Sequence, residues 1–341
     1  MAFLLYGAAW VLARSMSGQS RSALFVIIAG ALLFRITLLD IGINSCSNAG
    51  EMLSAVRSDL QGESLGYRRF VLFDDDVWRY LWDGHVSAAG LNPYQFPPNA
   101  PELDGLSRPE SPSRLWTEIR ARVNHPDLST VYPPLAQLVF RFACWVAPGS
   151  VLAFKCIACL LDLIAAIFIA LTLRALKYPV TSVVLYAWNP LVLTMIAGSG
   201  HIDALVAATI AATAYFVVRK NREMAAICFA LSVLGKIAPI ILIFLMMRRL
   251  RWKGTLLAVL VLIGMYLPYS SGGVAWRSLV FFAYTWQFNS GWFHLMERLM
   301  SFLSSDPSYA ARIVSGVIIL ALAIRLALRD KGTVESFLSA A

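Results

Sequence analysis

Charged residues are scarce in this sequence. Asp, Glu, Lys and Arg make up 14% of its 341 residues, whereas 58% are hydrophobic and the mean hydropathy is +0.66. Soluble domains are about 25% charged and roughly 45–50% apolar. The shortage of charge therefore argues against a soluble protein and indicates a chain that folds in lipid.

Signatures of several other protein classes are also lacking. The sequence has no Walker or dinucleotide-binding fingerprint, no N-glycosylation sequon and no internal repeat of fixed period. Its five cysteines suggest no disulfide framework, because four of them lie in apolar stretches. Cys156 and Cys159 have the C-x-x-C spacing of metal and redox sites, but they stand without a second ligand pair, so we interpret both as packing residues.

Long hydrophobic runs are what the sequence does have. A helix needs about 20 apolar residues to cross a bilayer, and several runs approach that length: 22–43, 151–173, 180–198, 202–218, 254–270 and 310–328. Residues 2–13 are apolar but short, and we interpret them as a short first span rather than a signal sequence. The runs predict an all-α polytopic membrane protein that forms one membrane domain over 1–341, with about 8 transmembrane helices.

The charges are divided unevenly along the chain. Residues 44–130 hold 12 of the 20 acidic residues but only 8 of the 29 basic ones. Fourteen of the other 21 basic residues are clustered at Arg14/Arg21, Arg174/Lys177, Arg219-Lys220-Arg222, Arg248-Arg249-Arg251-Lys253 and Arg325/Arg329/Lys331. This is the positive-inside pattern of short cytoplasmic turns and not a nucleic-acid-binding surface, so no nucleic-acid partner is expected. It predicts that the 44–130 loop is external.

Two segments do not fit simple spans. Residues 224–247 lie between two basic clusters and are interrupted by Gly235-Lys236-Ile237-Ala238-Pro239, which favours two half-helices that meet at Lys236. Residues 131–147 begin and end on the external side, so we expect them to be re-entrant. Broken helices at membrane depth are tolerated where they line a cavity.

Ionisable residues at membrane depth are candidates for function. They are Arg35, Lys155, Asp162, Asp203 and Lys236, with His201 at the apex of a predicted helical hairpin. Lys155 and Asp162 are seven residues apart and face one side of a helix, where a structural pair is the simpler interpretation. Arg35 lies near a span end and is expected to snorkel. The position of Lys236 at a helix break beside Pro239 favours a functional role for this lysine.

The segment 73–85 is the richest in chemistry. As a helix it places Asp76, Arg79 and Asp83 on one face and Trp78 and Trp82 on another. We predict that this helix lies in the membrane interface, with its aromatic side towards lipid headgroups and its acidic side towards a cavity. The simpler alternative is a helix N-cap followed by a solvated face.

An ordered set of motifs resembles a known family. The set comprises Asp75-Asp76-Val77-Trp78-Arg79-Tyr80, Trp82-Asp83-Gly84, Gly90-Leu91-Asn92-Pro93-Tyr94, Tyr132-Pro133-Pro134, Lys155…Asp162, Trp188-Asn189-Pro190-Leu191, Lys236…Pro239 and Trp286-Gln287-Phe288-Asn289-Ser290-Gly291. Their order over about residues 22–330 is similar to that of the polyprenyl-phosphate-mannose-dependent mannosyltransferases of the GT-C superfamily, and to the GPI mannosyltransferase I catalytic subunit.

The resemblance implies a GT-C-like bundle with re-entrant or half helices, and a catalytic loop within 44–130. It implies transfer of a hexose, with mannose as the preferred candidate, from a polyprenyl-phosphate donor to a hydroxyl of a glycan or lipid acceptor. The transfer would invert the anomeric carbon and take place at the external face of the inner membrane. The base would be Asp75 or Asp76, with Asp75 preferred. Substrate-binding residues would be Arg79, Lys155, Lys236, His201, Asp203, Tyr94, Tyr132 and Asn289. No cofactor or metal ligand is predicted, although a divalent cation is left open.

Two other functions compete with this one. A transporter or flippase for a lipid-linked or anionic solute would use Lys155, Asp162, Asp203 and Lys236 as its path, and broken helices favour it. The lack of repeats and the acidic loop count against it. A scaffold subunit without activity is the third alternative, and the intact run Asp74-Asp75-Asp76 weighs against it.

Overall fold

The computed structural model describes residues 6–7, 9–11, 21–39, 49–61, 74–107, 114–270, 277–285 and 290–332. Every regular element within these ranges is helical. This confirms the all-α fold that the sequence predicts.

Twelve helices of eight residues or more are described. They are α1 Arg21–Leu38, α2 Ala49–Leu60, α3 Asp76–Ala88, α4 Leu115–Arg122, α5 Pro134–Val146, α6 Val151–Ala175, α7 Asp203–Val218, α8 Arg222–Gly235, α9 Ile243–Tyr266, α10 Arg277–Thr285, α11 Ser290–Met300 and α12 Pro307–Arg329. Between α6 and α7 the chain forms a bent pair of helical segments, Val180–Ala187 and Pro190–Gly198. The axis bends by 50° at the break between them.

Fewer helices are long enough to cross a bilayer than predicted. By length and composition, in the described ranges, these are Val151–Ala175, Ala238–Tyr269 and Pro307–Arg329, or four if the bent pair counts as one span. Ala238–Tyr269 is kinked at Arg251, whose φ of 59° and ψ of −179° are not helical. The predicted count of about 8 is therefore not supported. One reason is length, since the 16 residues of α7 extend about 24 Å against a hydrocarbon core of about 30 Å. The first-span interpretation of 2–13 falls largely outside the described residues.

The central bundle is built from consecutive helices. α6 packs against α7, α7 against α8, and α8 against α9. Lys155, near the start of α6, lies under the turn that precedes α7, because a Cβ on Gly200 would stand 3.1 Å from its Cγ. α6 and α7 therefore begin at the same end of the bundle and run in the same direction.

The basic clusters of α7 to α9 and of the end of α12 lie together at the opposite end. α7 ends and α8 begins at the cluster around Lys220. Arg249 of α9 donates to Gly332 O at 2.9 Å and Arg248 to Asp330 O at 3.2 Å, which joins the basic part of α9 to the end of α12. The bundle thus has one basic end and one end that carries Asp203 and Lys236, as the charge pattern predicts.

The helix break at Lys236 is confirmed. α8 ends at Gly235, Lys236 is extended with φ −157° and ψ 142°, and a 3-10 turn Ala238–Leu242 then begins with Pro239 in its first turn. Proline cannot continue the α8 hydrogen-bond ladder because it has no N–H. α5 is likewise short, at 13 residues, and its re-entrant placement in a membrane stays a prediction.

The tryptophan face of α3 is not directed towards lipid headgroups, so that part of the expectation is wrong. Trp78 is 4% exposed and Trp82 is 1% exposed, and both rings belong to the largest hydrophobic cluster. Gly84 packs so closely on α5 that a Cβ there would stand 2.3 Å from Phe140 O. The tryptophan face of α3 is therefore covered by protein instead of lipid.

Two expectations about buried charges also change. Arg35 does not snorkel, because it is buried and its guanidinium forms an ion pair with Asp162, Nε to Oδ2 being 2.7 Å. Asp162 therefore pairs with Arg35 on α1 and accepts a hydrogen bond from Tyr186 OH at 2.5 Å. Lys155 is fully buried and donates to Leu38 O at 3.2 Å instead of pairing with Asp162.

Candidate active site

Three consecutive aspartates stand at the N-terminus of α3. Asp74 Oδ1 accepts a hydrogen bond from the backbone N–H of Asp76 at 2.7 Å, and Asp75 occupies the N-cap position. The partial positive charge of a helix N-terminus favours carboxylates here. The alternative of an N-cap is therefore realised in part, although these acids have further partners.

Asp76 is held by three donors from different segments. Its Oδ2 accepts from Tyr80 OH at 3.3 Å and from Tyr132 OH at 3.2 Å, and its Oδ1 accepts from Asn124 Nδ2 at 3.2 Å. Burial, reinforced by neighbouring charges, raises the pKa of both phenols well above 10. Both phenols therefore stay protonated at neutral pH and act as donors to the carboxylate.

Asn124 links two of the acids. Its Nδ2 also donates to Asp75 Oδ1 at 3.0 Å, so one amide fixes the relative positions of the Asp75 and Asp76 carboxylates. Asp75 is exposed whereas Asp76 is half-buried. The Asp75 carboxylate is thus positioned by one contact and open to a substrate.

A second group of residues faces these acids from α7 and the helix break. Lys236 Nζ donates to Asp203 Oδ1 at 2.7 Å, and both side chains are nearly half exposed. His201 Nδ1 lies 3.4 Å from Asp203 Oδ2, and its Nε2 lies 3.5 Å from Asp74 Oδ1. Burial lowers the pKa of His201, but the hydrogen bond to Asp203 and the charges of the aspartates outweigh it, so the pKa is raised.

Arg79 is buried and contacts its own helix and a neighbouring loop, and its role in substrate binding stays a prediction. Its Nε forms an ion pair with Asp83 Oδ1 at 3.0 Å, and its Nη2 donates to Leu128 O at 2.7 Å. Gln137 Nε2 donates to the other Asp83 oxygen at 3.2 Å. Asp76, Arg79 and Asp83 do share one face, and Arg79 joins α3 to the loop that carries Leu128.

Tyr94 and Lys155 lie at the edges of the site. Tyr94 is buried, and its OH donates to Tyr132 O at 2.7 Å, which fixes the backbone that carries the Tyr132 phenol. Lys155 lies beneath the turn at Gly200, which directly precedes His201. Asn289 lies outside the described residues.

Tyr80 and Asn124 were not predicted from the sequence. Tyr80 follows Asp76 by four residues on a helix, a spacing at which side chains meet, so this signal was available. Asn124 lies 48 residues from Asp76, and nothing local in the sequence connects the two.

One set of atoms has the spacing of a metal site. Single ligand atoms of Asp74, Asp76 and His201 lie within 4.8 Å of one another. They are the described His, Cys, Asp and Glu side chains that could converge on one ion.

Comparison with known proteins identifies the family. A family described as alpha-(1->6)-mannopyranosyltransferase, N-terminal domain, matches residues 70–251, which include all three aspartates, the His201 turn and Lys236. Neither a search of curated proteins nor one of solved structures finds a match. The match disfavours the transporter alternative, and it covers more than half of the 341 residues. The chain belongs to the alpha-(1->6)-mannopyranosyltransferase family and is a glycosyltransferase enzyme.

Proposed function

We propose that the chain transfers a mannosyl group from a polyprenyl-phosphate donor to a hydroxyl of a glycan or lipid acceptor, with inversion at the anomeric carbon. The single observation that carries this proposal is that an exposed carboxylate, Asp75, and a half-exposed cation, Lys236, belong to one cluster of acidic and basic side chains. A group transfer needs a base for the acceptor proton and a positive charge for the departing phosphate.

The position of Lys236 suits a phosphate that is attached to a lipid. α8 has 14 residues and extends about 21 Å from the basic end, whereas the hydrocarbon core is about 30 Å thick. If the basic turns lie at one membrane surface, Lys236 lies below the other. A soluble nucleotide sugar would have no need of such depth, whereas a polyprenyl phosphate enters from the lipid.

The reaction that we propose needs one base and no strong acid. The acceptor oxygen forms a bond to the anomeric carbon as its proton passes to Asp75. The bond from the anomeric carbon to the phosphate oxygen breaks, and the polyprenyl phosphate leaves with that electron pair near Lys236. Direct displacement converts a β-linked donor into an α-linked product, which agrees with the alpha linkage in the family's description.

Orientation follows from the two ends of the bundle. Cytoplasmic segments of membrane proteins carry the excess of Lys and Arg. We therefore place the basic turns in the cytoplasm, the acids and Lys236 on the external side of the inner membrane, and the 44–130 loop outside as part of a single GT-C-like membrane domain. Nucleotide sugars are cytoplasmic, so this placement favours the lipid-linked donor.

The base is tested by assaying purified protein in vesicles for mannosyl transfer from polyprenyl-phosphate mannose. Asp75→Asn is expected to lower transfer at least 100-fold, within the roughly 10²–10⁴-fold range of general base catalysis, while donor binding is retained. In the same assay Lys236→Ala is expected to weaken donor binding more than acceptor binding. Glu102→Gln, an exposed acid in the 3-10 turn Pro101–Leu106, is the matched control.

Two results would contradict this mechanism. Substantial transfer by Asp75→Asn, by Asp76→Asn and by the double variant would remove the aspartates from catalysis. Unchanged donor affinity in Lys236→Ala would leave Lys236 a structural partner of Asp203.

A further inference from the structure

We propose that Asp74, Asp76 and His201 bind one divalent cation beside the donor phosphate. The position of this site relative to the donor rests on the proposed function, whereas its existence rests on the side-chain geometry alone. The ligand class is a hard or borderline ion that accepts both carboxylate oxygen and imidazole nitrogen, with Mn²⁺ the first candidate.

The spacing of the three groups suits one ion. Metal ligands lie about 2.0–2.2 Å from Mg²⁺ or similar ions, so two ligands of one ion are about 3–4.4 Å apart. The ligand atoms of Asp74, Asp76 and His201 lie within 4.8 Å of one another. Asp74 lies two residues before α3 and Asp76 is its first residue, whereas His201 comes from the turn before α7, which is distant in sequence.

The second observation, beside the spacing of the three ligand atoms, is the burial and orientation of the His201 ring. Its Nε2 atom is buried and makes no hydrogen bond within the described part of the chain, and it faces Asp74. Its Nδ1 atom faces the Asp203 carboxylate at 3.4 Å. A histidine that ligates a metal commonly donates its other N–H to a carboxylate, which fixes the tautomer and aims the free lone pair at the ion.

Asp76 is fixed in the same manner. Tyr80, Tyr132 and Asn124 donate three hydrogen bonds to its two oxygens. An ionised carboxylate has about four acceptor positions, so one remains for an ion. Ligands that are held by outer partners in this way need little reorganisation when the metal binds.

The charge balance of the cluster provides a reason for the ion. Four carboxylates, those of Asp74, Asp75, Asp76 and Asp203, surround the place where an anionic phosphate must enter, and Lys236 and His201 are the basic groups that contact them. Like charges at short range in a partly buried site repel strongly. A bound divalent cation would offset two of these negative charges and accept the phosphate in an open coordination position.

The site is tested by measuring Mn²⁺ binding to the purified full chain by electron paramagnetic resonance. Wild type is expected to bind one ion, His201→Ala to lose it, and Asp203→Asn to bind it about 10–100-fold more weakly, which is the usual effect of losing a partner of a metal-bound histidine. His294→Ala, which removes an exposed histidine paired with Glu297 on α11, is the matched control.

The outcomes separate the two proposals. Absence of Mn²⁺ binding in wild type, or equal binding by wild type and His201→Ala, would overturn the metal site. Transfer that persists unchanged in EDTA would overturn the role of the ion at the donor phosphate and leave the proposed transferase reaction standing. Binding of Mn²⁺ by a protein that transfers nothing from polyprenyl-phosphate mannose would support the metal site and contradict the proposed function.

Discussion

Gly84 shows how one residue sets the distance between two helices. A Cβ at this position would stand 2.3 Å from Phe140 O and 2.7 Å from Phe140 C, both backbone atoms that cannot turn aside. We therefore expect Gly84→Ala to separate α3 from α5 and to lower the free energy of unfolding by about 1–3 kcal/mol. Thermal unfolding in detergent measures the loss.

Gly316 in α12 provides the matched control for Gly84. A Cβ there meets nothing within 4 Å, and alanine favours a helix over glycine by about 1 kcal/mol. Gly316→Ala should therefore unfold at the wild-type temperature or slightly above it. If both variants behave alike, close packing at Gly84 is not what holds α3 on α5.

Single residues also show where sequence reasoning succeeds and fails. The shared face of Asp76, Arg79 and Asp83 follows from helical spacing and is found in the structure. The same spacing places Trp78 and Trp82 together, but it does not distinguish a lipid-facing pair from one that is covered by protein. Asn124 required a long-range contact that only tertiary folding creates.

At the scale of elements, the Arg35–Asp162 pair fastens α1 to α6. Breaking a buried ion pair from one side costs about 3–5 kcal/mol, because a charge is left buried without its partner, whereas replacing both with apolar residues is often neutral. Arg35→Leu and Asp162→Leu should each be strongly destabilising, and the double variant should lose much less than the sum. A double-mutant cycle on thermal unfolding measures this coupling, and strictly additive losses would contradict it.

The end of a helix was predictable where a glycine or a proline in the sequence marks it. Gly235 and Pro239 identify the break around Lys236, since proline has no N–H to donate and the helix must end before it. Hydrophobicity alone did not give the number of spans, because apolar runs such as that of α7 form helices shorter than the bilayer. An apolar run predicts that a helix is surrounded by lipid or by other apolar side chains, but it does not predict how long the helix is.

At the scale of the whole molecule, the two ends of the bundle predict opposite labelling. In a cysteine-free background, Asp104→Cys should react with a membrane-impermeant maleimide on intact cells, and Lys220→Cys only after permeabilisation. Both positions are exposed, so accessibility within the protein is matched. The opposite pattern would invert the orientation and remove the argument for a lipid-linked donor.

The arrangement of charge was the most informative whole-chain signal. Basic clusters that are far apart in sequence meet at one end of the bundle, as the contacts between α9 and the end of α12 show. The convergence of the aspartates with His201 and Lys236 was not readable in this way, because it depends on how α3 packs against the α6–α8 bundle.

Three turns at the basic end have a cation in a backbone conformation that suits glycine. Lys177, Lys220 and Arg251 have φ of 61°, 58° and 59°, a left-handed geometry that costs a residue with a side chain about 1–2 kcal/mol. Glycine at each turn would relieve that strain but would delete one of the positive charges on which the proposed orientation rests. Selection for heat resistance and selection for correct insertion therefore oppose each other at these positions. In a variant library screened for thermostability alone, we expect glycines to accumulate there and the chain to lose its fixed orientation in the membrane.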